Sequence, residues 1–167
     1  GIATSGIAVS ASYPTGYVEA RLDQQGIASY HFPDDTAWDH LIIDDRTRLL
    51  GQEAHAICFG SLAQRSADSR RVILGFLDGL PTTMLKVFDI NLRQHFYTFE
   101  ILHQSLERTD VLKLNDEELP VLAGLFSLQG DDRTQLAQLR KMFGLRLIIL
   151  TRGAKGSLLL TSETSSD

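Results

Sequence analysis

Covalent cross-links and membrane spans are what this chain has least material for. Its one cysteine, Cys58, excludes an internal disulfide, and its place inside the apolar run AICF predicts a buried thiol in a reducing compartment. No apolar run approaches the length that crosses a bilayer, and the opening GIATSGIAVSAS has no basic region leading into a hydrophobic one, so the expected location is the cytoplasm. An excess of positive charge is missing too: 16 Lys and Arg stand against 21 Asp and Glu, interspersed, for a net charge of −5. That balance leaves no footprint for a nucleic-acid backbone. The five histidines, His31, His40, His55, His95 and His103, have no metal-ligand spacing, which argues against a zinc site. Ser61 and Ser157 lie beside glycine without forming the Gly-x-Ser-x-Gly elbow of a serine hydrolase.

What is present suits one soluble domain: 167 residues of which 43% are apolar, enough for a sizeable core. Residues 16–23, GYVEARLD, alternate Val18, Ala20 and Leu22 with polar neighbours, the period of a half-exposed strand. Turn residues at 23–26 and a second alternating run, 27–32, predict a hairpin that forms a small flap. After AWDHLII and a polar helical stretch, the order is strand 56–60, helix 67–79, strand 85–90, helix 98–107, strand 111–114 and a helix from Asp116. A helix over 134–143, a strand over 146–151 and a final strand over 157–161 follow. The last strand must run antiparallel to its predecessor, because the connection has no room for a helix. Such alternation predicts right-handed crossovers and a doubly wound α/β layer. The chain starts at Gly1 rather than Met and closes on a polar SETSSD run, so we expect a fragment.

Two strands end in polar side chains. KVFDINLR carries an apolar run into Asp89, Asn91 and Arg93, and VLKLNDEE does the same with Asn115 and Glu118. At the carboxyl ends of parallel strands these five would share one rim, where ligands of open α/β sheets bind. A carboxylate, an amide and a guanidinium could converge on a polyol or a phosphate; equally, Asp89 could cap the next helix and pair with Arg93. Asn115 and Glu118, three apart, could hold a metal-bound water or a phosphate, yet a capping box explains that spacing fully and is favoured on physical grounds alone. Thr151, Gly153, Lys155 and Gly156 in TRGAKGS suit a polyphosphate, although glycines after a strand more often make only a turn. The spacing is not that of a Walker A loop.

Taken in order, PTG at 14–16, AWD at 37–39, FGSLAQR at 59–65, FDINLRQHFY at 88–97, LKLNDEEL at 112–119 and LTRGAKGS at 150–157 resemble the PfkB (ribokinase-like) carbohydrate kinases, the bacterial fructokinases above all. The ordered set is far more specific than any one motif. It implies a mostly parallel sheet flanked by helices with a projecting β lid, residues 1–167 being part of one kinase domain, with lid hairpin and connection at about 13–36 and α/β layer at about 54–161. The resemblance further implies ATP-dependent phosphorylation of a sugar hydroxyl, with Mg2+ and ATP required and a fructose-like substrate. Asn91 and Arg93 then fall near sugar and transferred phosphate, Thr151, Gly153 and Gly156 near the nucleotide, and Asn115 and Glu118 near magnesium, through water. A homodimer formed through the lid is also implied. Two family elements are missing from the sequence: a Gly-Gly-Asn sugar-binding element, and a Gly-Ala-Gly-Asp segment whose glycines form an anion hole and whose aspartate is the general base. The catalytic base is therefore assigned to no residue here, and this chain alone is expected to be inactive. An inactive nucleotide- or sugar-binding module and a nucleoside kinase of the same fold are the alternatives.

Overall fold

The computed structural model describes residues 1, 3–26, 28–162 and 165–166. Ile27, placed in the return arm of the hairpin, lies outside the described residues. The hairpin is formed by β1, Glu19–Leu22, and β2, Ala28–His31, antiparallel with Glu19 opposite His31 and Leu22 opposite Ala28. Its turn is built from local chemistry: the Asp23 side chain accepts from Gln25 N–H and the Asp23 carbonyl from Gly26 N–H, while Gly26 takes the left-handed φ of 79° that a side chain disfavours. The half-exposed character expected of these strands is not found. Val18, Leu22 and Tyr30 are all exposed, because the hairpin stands off the core.

After α1, Asp45–Glu53, the layer runs β3, Ala56–Phe59; α2, Ala67–Asp78; β4, Leu85–Asp89; α3, Phe99–Leu106; β5, Val111–Asn115; α4, Glu118–Phe126; α5, Asp132–Phe143; β6, Leu147–Thr151; β7, Ser157–Leu160; and β8, Ser165–Ser166. The six strands among these form one sheet in the order β3-β4-β5-β6-β7-β8. The pairs from β3 to β6 are parallel, and β7 returns antiparallel on β6, as its short connection requires. Helix starts follow their capping residues: Ser66, Thr98 and Asp131 each accept the N–H three residues on. The last of these makes α5 begin two residues before the expected Thr134. It ends at Gly144, φ 66°, the left-handed cap position that glycine fills without strain.

The strands are added in one direction only, and this decides where the helices lie. Right-handed crossovers that always step the same way along a sheet place their helices on one face. Phe88, Leu112, Leu114, Ile148 and Leu150 accordingly pack in one buried cluster with Leu102, Leu106, Leu119, Leu122, Leu136 and Leu139 of α3, α4 and α5. Ile57 and Phe59, on the same face of β3, meet Ile73, Phe76 and Leu77 of α2. The opposite face, with Cys58, Val87, Lys113, Ile149 and Leu159, stays at least partly open, where a parallel sheet ordinarily has both faces covered. The doubly wound arrangement is therefore not what residues 56–151 form: the strand order never reverses, and so no switch point occurs, among the described residues. Cys58 corrects a second expectation. It is exposed, since β3 is an edge strand and Cys58 points to the open face.

The hairpin is joined to the layer through a compact base. Thr36 and Asp39 bracket a 3-10 turn, Ala37–Asp39, as a capping box, and the Asp39 carboxylate is held by the Arg65 Nε and Nη2 groups at 2.7 Å each. Burial raises the Asp39 carboxyl, but hydrogen bonds from Arg65 and from Thr36 outweigh it, so the group sits below its ordinary value of 3.8. A carboxyl depressed in the folded state adds stability that is fully present above its unfolded pKa and is lost as pH falls through the folded value. Stability should thus be insensitive to this group from neutrality down to about pH 5 and decline below about pH 4, and Asp39→Asn should flatten that acid limb. Urea unfolding midpoints measured from pH 7 to pH 3 check this.

Gly16, in the PTG motif, is required by close approach: a Cβ there would lie 2.3 Å from the Trp38 ring. The ring has little freedom to yield, because its backbone neighbours are fixed by the Ala37 N–H to Pro14 carbonyl bond and by the Trp38 carbonyl accepting from Ser69 Oγ. Gly16→Ala is expected to destabilise the chain by about 1–3 kcal/mol, read as a lowered urea midpoint; an unchanged midpoint would show the ring to be free to move.

Candidate active site

The end of β4 is where the chain departs from strand geometry. Ile90 is fully buried and its N–H still donates to Lys113, but Asn91 and Gln94 adopt left-handed φ values of 44° and 47°. The strand alternation that would throw Asp89, Asn91 and Arg93 to one side therefore stops at Asp89. Asp89 does not join the other two. Both of its oxygens accept from Lys113 Nζ at 2.9 Å, its neighbour across the parallel pair. Neither expected alternative, a helix cap or an Asp89–Arg93 pair, occurs.

Two buried side chains hold the irregular turn in place. Ser61, in the loop after β3 and 1% exposed, donates to the carbonyl of Ile90 at 2.7 Å. Glu118, 6% exposed, accepts the N–H of Leu92 on one oxygen and that of Asn115 on the other, both at 2.9 Å. The Asn115 side chain in turn accepts from Glu117 and Glu118 N–H at 2.9 and 2.8 Å. The reciprocal capping pattern favoured from the spacing is thus present, although α4 begins at Glu118 itself and Asn115 closes β5. What the spacing did not reveal is the bond to Leu92, which staples the ends of β4 and β5 together.

Arg93 is left free to act. It donates to Asn91 Oδ1 at 2.8 Å, and no carboxylate among the described residues pairs with it. It borders a cavity of about 410 Å³ with Val18, Tyr30 and Phe32 of the hairpin, and a smaller one of about 190 Å³ with Asn115, Glu117 and Glu118. Thr151 pairs in register with Asn115, its hydroxyl donating to the Leu114 carbonyl at 3.3 Å. Gly153 and Gly156, with φ of 54° and 82°, form the exposed turn beyond it. Asn91, Arg93, Asn115 and Glu118 are therefore brought together, Thr151 stands next to them, and the two glycines lie one turn further along the rim.

A magnesium ion is a fair test of this donor set. Among the described residues no group of three or more His, Cys, Asp or Glu could enclose a metal, so a closed cage of side chains is excluded for them. Magnesium, however, keeps most of its waters and needs only one or two carboxylates beside its substrate phosphates. Glu118 has no cationic partner among the described residues, its charge is met only by two amide dipoles, and each oxygen retains a lone pair. The residues fit an ion held through water.

A further cavity, about 600 Å³, is lined by Trp38, Ile43, Cys58, Phe59, Phe76, Asn91 and Arg93 among others. It wraps both faces of β3, since Cys58 and Phe59 alternate. Spacing gave no sign of the contacts made by Ser61, Gln94 and Arg65. Each is a polar residue whose role depends on partners some 26 to 64 positions away.

No family model matches the chain. It is 26% identical to an uncharacterized sugar kinase of Pyrococcus horikoshii over 98% of its own length and 50% of that protein. It is likewise 26% identical to a fructokinase of Rhizobium leguminosarum bv. trifolii over 79% of its length and 40% of that protein. The fructokinase of Xylella fastidiosa with bound ATP superposes with a TM-score of 0.81 at 22% identity, covering 99% of this chain and 52% of that one. The chain spans half or less of the curated relatives it matches. It has the ribokinase-like fold of these kinase structures and is similar in sequence to sugar kinases and fructokinases.

Proposed function

We propose that this chain is part of an enzyme that transfers the terminal phosphate of ATP to a hydroxyl of a fructose-like sugar. The observation that carries the reading is the position of Arg93, a cation with no carboxylate partner among the described residues, between the cavity under the hairpin and the Asn115–Glu118 rim. Phosphoryl transfer asks for little else than positioning and charge neutralisation. The sugar would sit under the hairpin against Asn91 and Arg93, the nucleotide along Thr151, Gly153 and Gly156, and magnesium, when bound, would neutralise phosphate charge next to Asn115 and Glu118 through water. Arg93 would then face both the hydroxyl acceptor and the phosphate in flight. The kinship with fructokinases, one of them ATP-bound, supports these assignments.

The exposed apolar residues of the hairpin, Tyr17, Val18, Leu22 and Tyr30, together with its unpaired strand edges, suit pairing with the hairpin of a second copy. A soluble, cytoplasmic setting agrees with the finding that no helix among the described residues is long and apolar enough to cross a membrane.

The test is Arg93→Ala in an enzyme that carries the whole sugar-kinase length. Loss of a charge-stabilising donor should lower kcat by about a hundredfold or more, with Arg93→Lys recovering part of it, in an ADP-release assay with fructose. Unchanged turnover would remove Arg93 from the reaction. A second reading, a binding module without activity, is favoured by one feature: both carboxylates at the rim are already engaged, Asp89 by Lys113 and Glu118 by backbone amides.

A further inference from the structure

We propose that Arg65 is the positioning residue that fixes where the β1–β2 hairpin stands over the Arg93 rim. The hairpin cannot set its own direction. It has two strands of four residues each, and an isolated two-stranded ribbon is at best marginally stable. Its orientation must come from its attachments, and among the described residues one buried polar attachment stands out.

That attachment is the Arg65 guanidinium, whose side chain is 7% exposed. It belongs to the layer, at the end of the 3-10 turn Leu62–Arg65 between β3 and α2. The preceding residue, Gln64, is fully buried and is tied by its amide to the Gly60 carbonyl and to Ser105 Oγ at 2.9 Å each, so the origin of Arg65 is rigid. From there the fork reaches the carbonyls of Phe32 and Pro33, the first two residues after β2, and grips both oxygens of Asp39. The ring of Phe96, from the loop after β4, lies 4.6 Å from its carbon centre, and Phe32 packs edge-on to that same ring at 6.3 Å.

The segment that leads into the hairpin refers to the same place. Gly16 rests on the Trp38 ring, which is 5.9 Å from the guanidinium. The remaining link, Gln94 to the Tyr30 carbonyl at 2.6 Å, is a single exposed hydrogen bond. Arginine is the side chain suited to this task. Its planar fork presents five donors in fixed directions, so one group can serve a carboxylate and two carbonyls at once, whereas the three donors of lysine diverge from a point. The cavity between Val18, Tyr30, Phe32 and Arg93 keeps its shape only while the hairpin holds this angle. What would occupy that cavity rests on the kinase reading; the positioning role does not.

The experiment measures position directly and needs no activity. Cys58 is the only cysteine in the sequence and is exposed, so with Gln24→Cys at the hairpin turn it gives a spin-label pair between hairpin and layer, read by pulsed dipolar spectroscopy on the full chain. The parent should give one narrow distance distribution. Arg65→Lys should broaden it about twofold or more. Because breaking a buried pair on one side can unfold a protein, the double variant Arg65→Met with Asp39→Leu is measured alongside, as it leaves no unpaired buried charge. It should melt cooperatively and show the same broadening. A parent-like distribution in either folded variant overturns the proposal, even if its melting temperature falls. Failure of both variants to fold also overturns it, by making Arg65 a general core residue.

Discussion

Glu118→Ala should cost the chain about 2–6 kcal/mol, because it strands the N–H groups of Leu92 and Asn115 beneath the rim and each unsatisfied buried donor costs about 1–3 kcal/mol. Both donors depend on the two carboxylate oxygens, and Glu118 is only 6% exposed. Against a total stability of about 5–15 kcal/mol, that is a large fraction. Glu118→Gln keeps one acceptor but turns an amide NH2 towards the other backbone N–H, so it should lose about 1–3 kcal/mol. Glu117→Ala and Asp116→Ala, at exposed positions, should stay within about 0.5 kcal/mol of the parent. Urea unfolding orders the four variants, and hydrogen exchange at the Leu92 amide, fastest in Glu118→Ala, localises the effect. The same substitution separates the two roles weighed for this glutamate. In a whole-length enzyme, a carboxylate that acts on magnesium and phosphate charge predicts that Glu118→Gln lowers turnover by about a hundredfold. Stability lost with turnover intact would leave only the staple between β4 and β5.

The contrast between Glu118 and Asp89 shows how far a sequence carries. Asn115 to Glu118 is a local pattern: its donors and acceptors lie within three residues, so a capping box could be read from spacing. Asp89 was placed with Asn91 and Arg93 on the premise that strand alternation continues. The premise fails at Asn91, whose left-handed φ has no marker such as glycine, and the partner that Asp89 takes instead, Lys113, is set by the register of β4 on β5. Cys58 fails for a related reason. An apolar run of four predicts a buried strand, but burial also needs a neighbour on each side and a layer on each face. Strand order is a property of the whole layer, invisible in any one run, and it also decides that all crossovers fall on one face. Arg65 was beyond reach altogether, since its carbonyl partners at Phe32 and Pro33 carry no side-chain signature. The order of motifs nevertheless gave the correct fold, because short polar motifs at strand ends recur in fixed sequence even where their internal contacts cannot be inferred.

Residues 1–167 by themselves should show no fructose phosphorylation above background, even with magnesium and ATP in excess. The sequence holds no Gly-Ala-Gly-Asp segment, and the described residues offer no substitute at the rim. A base must come within hydrogen-bond reach of the hydroxyl it deprotonates, and the acids nearest the rim are committed or lack an orienting partner. Asp89 has both oxygens on Lys113. Glu118 has both on backbone amides. Asp116 and Glu117 are exposed at the start of α4, without a second group to orient them. A positioned base contributes about a hundred- to ten-thousandfold, and a preorganised anion site about a hundred- to thousandfold. Arg93 and a magnesium ion at Glu118 would supply charge neutralisation but neither of those. Residual binding is a separate matter: the cavity of about 410 Å³ beside Arg93 could still take up a sugar weakly. A coupled assay of ADP release on the purified chain decides the question, and reproducible fructose-dependent turnover that disappears in Asp116→Asn or Glu117→Gln would identify the base among the acids now regarded as idle.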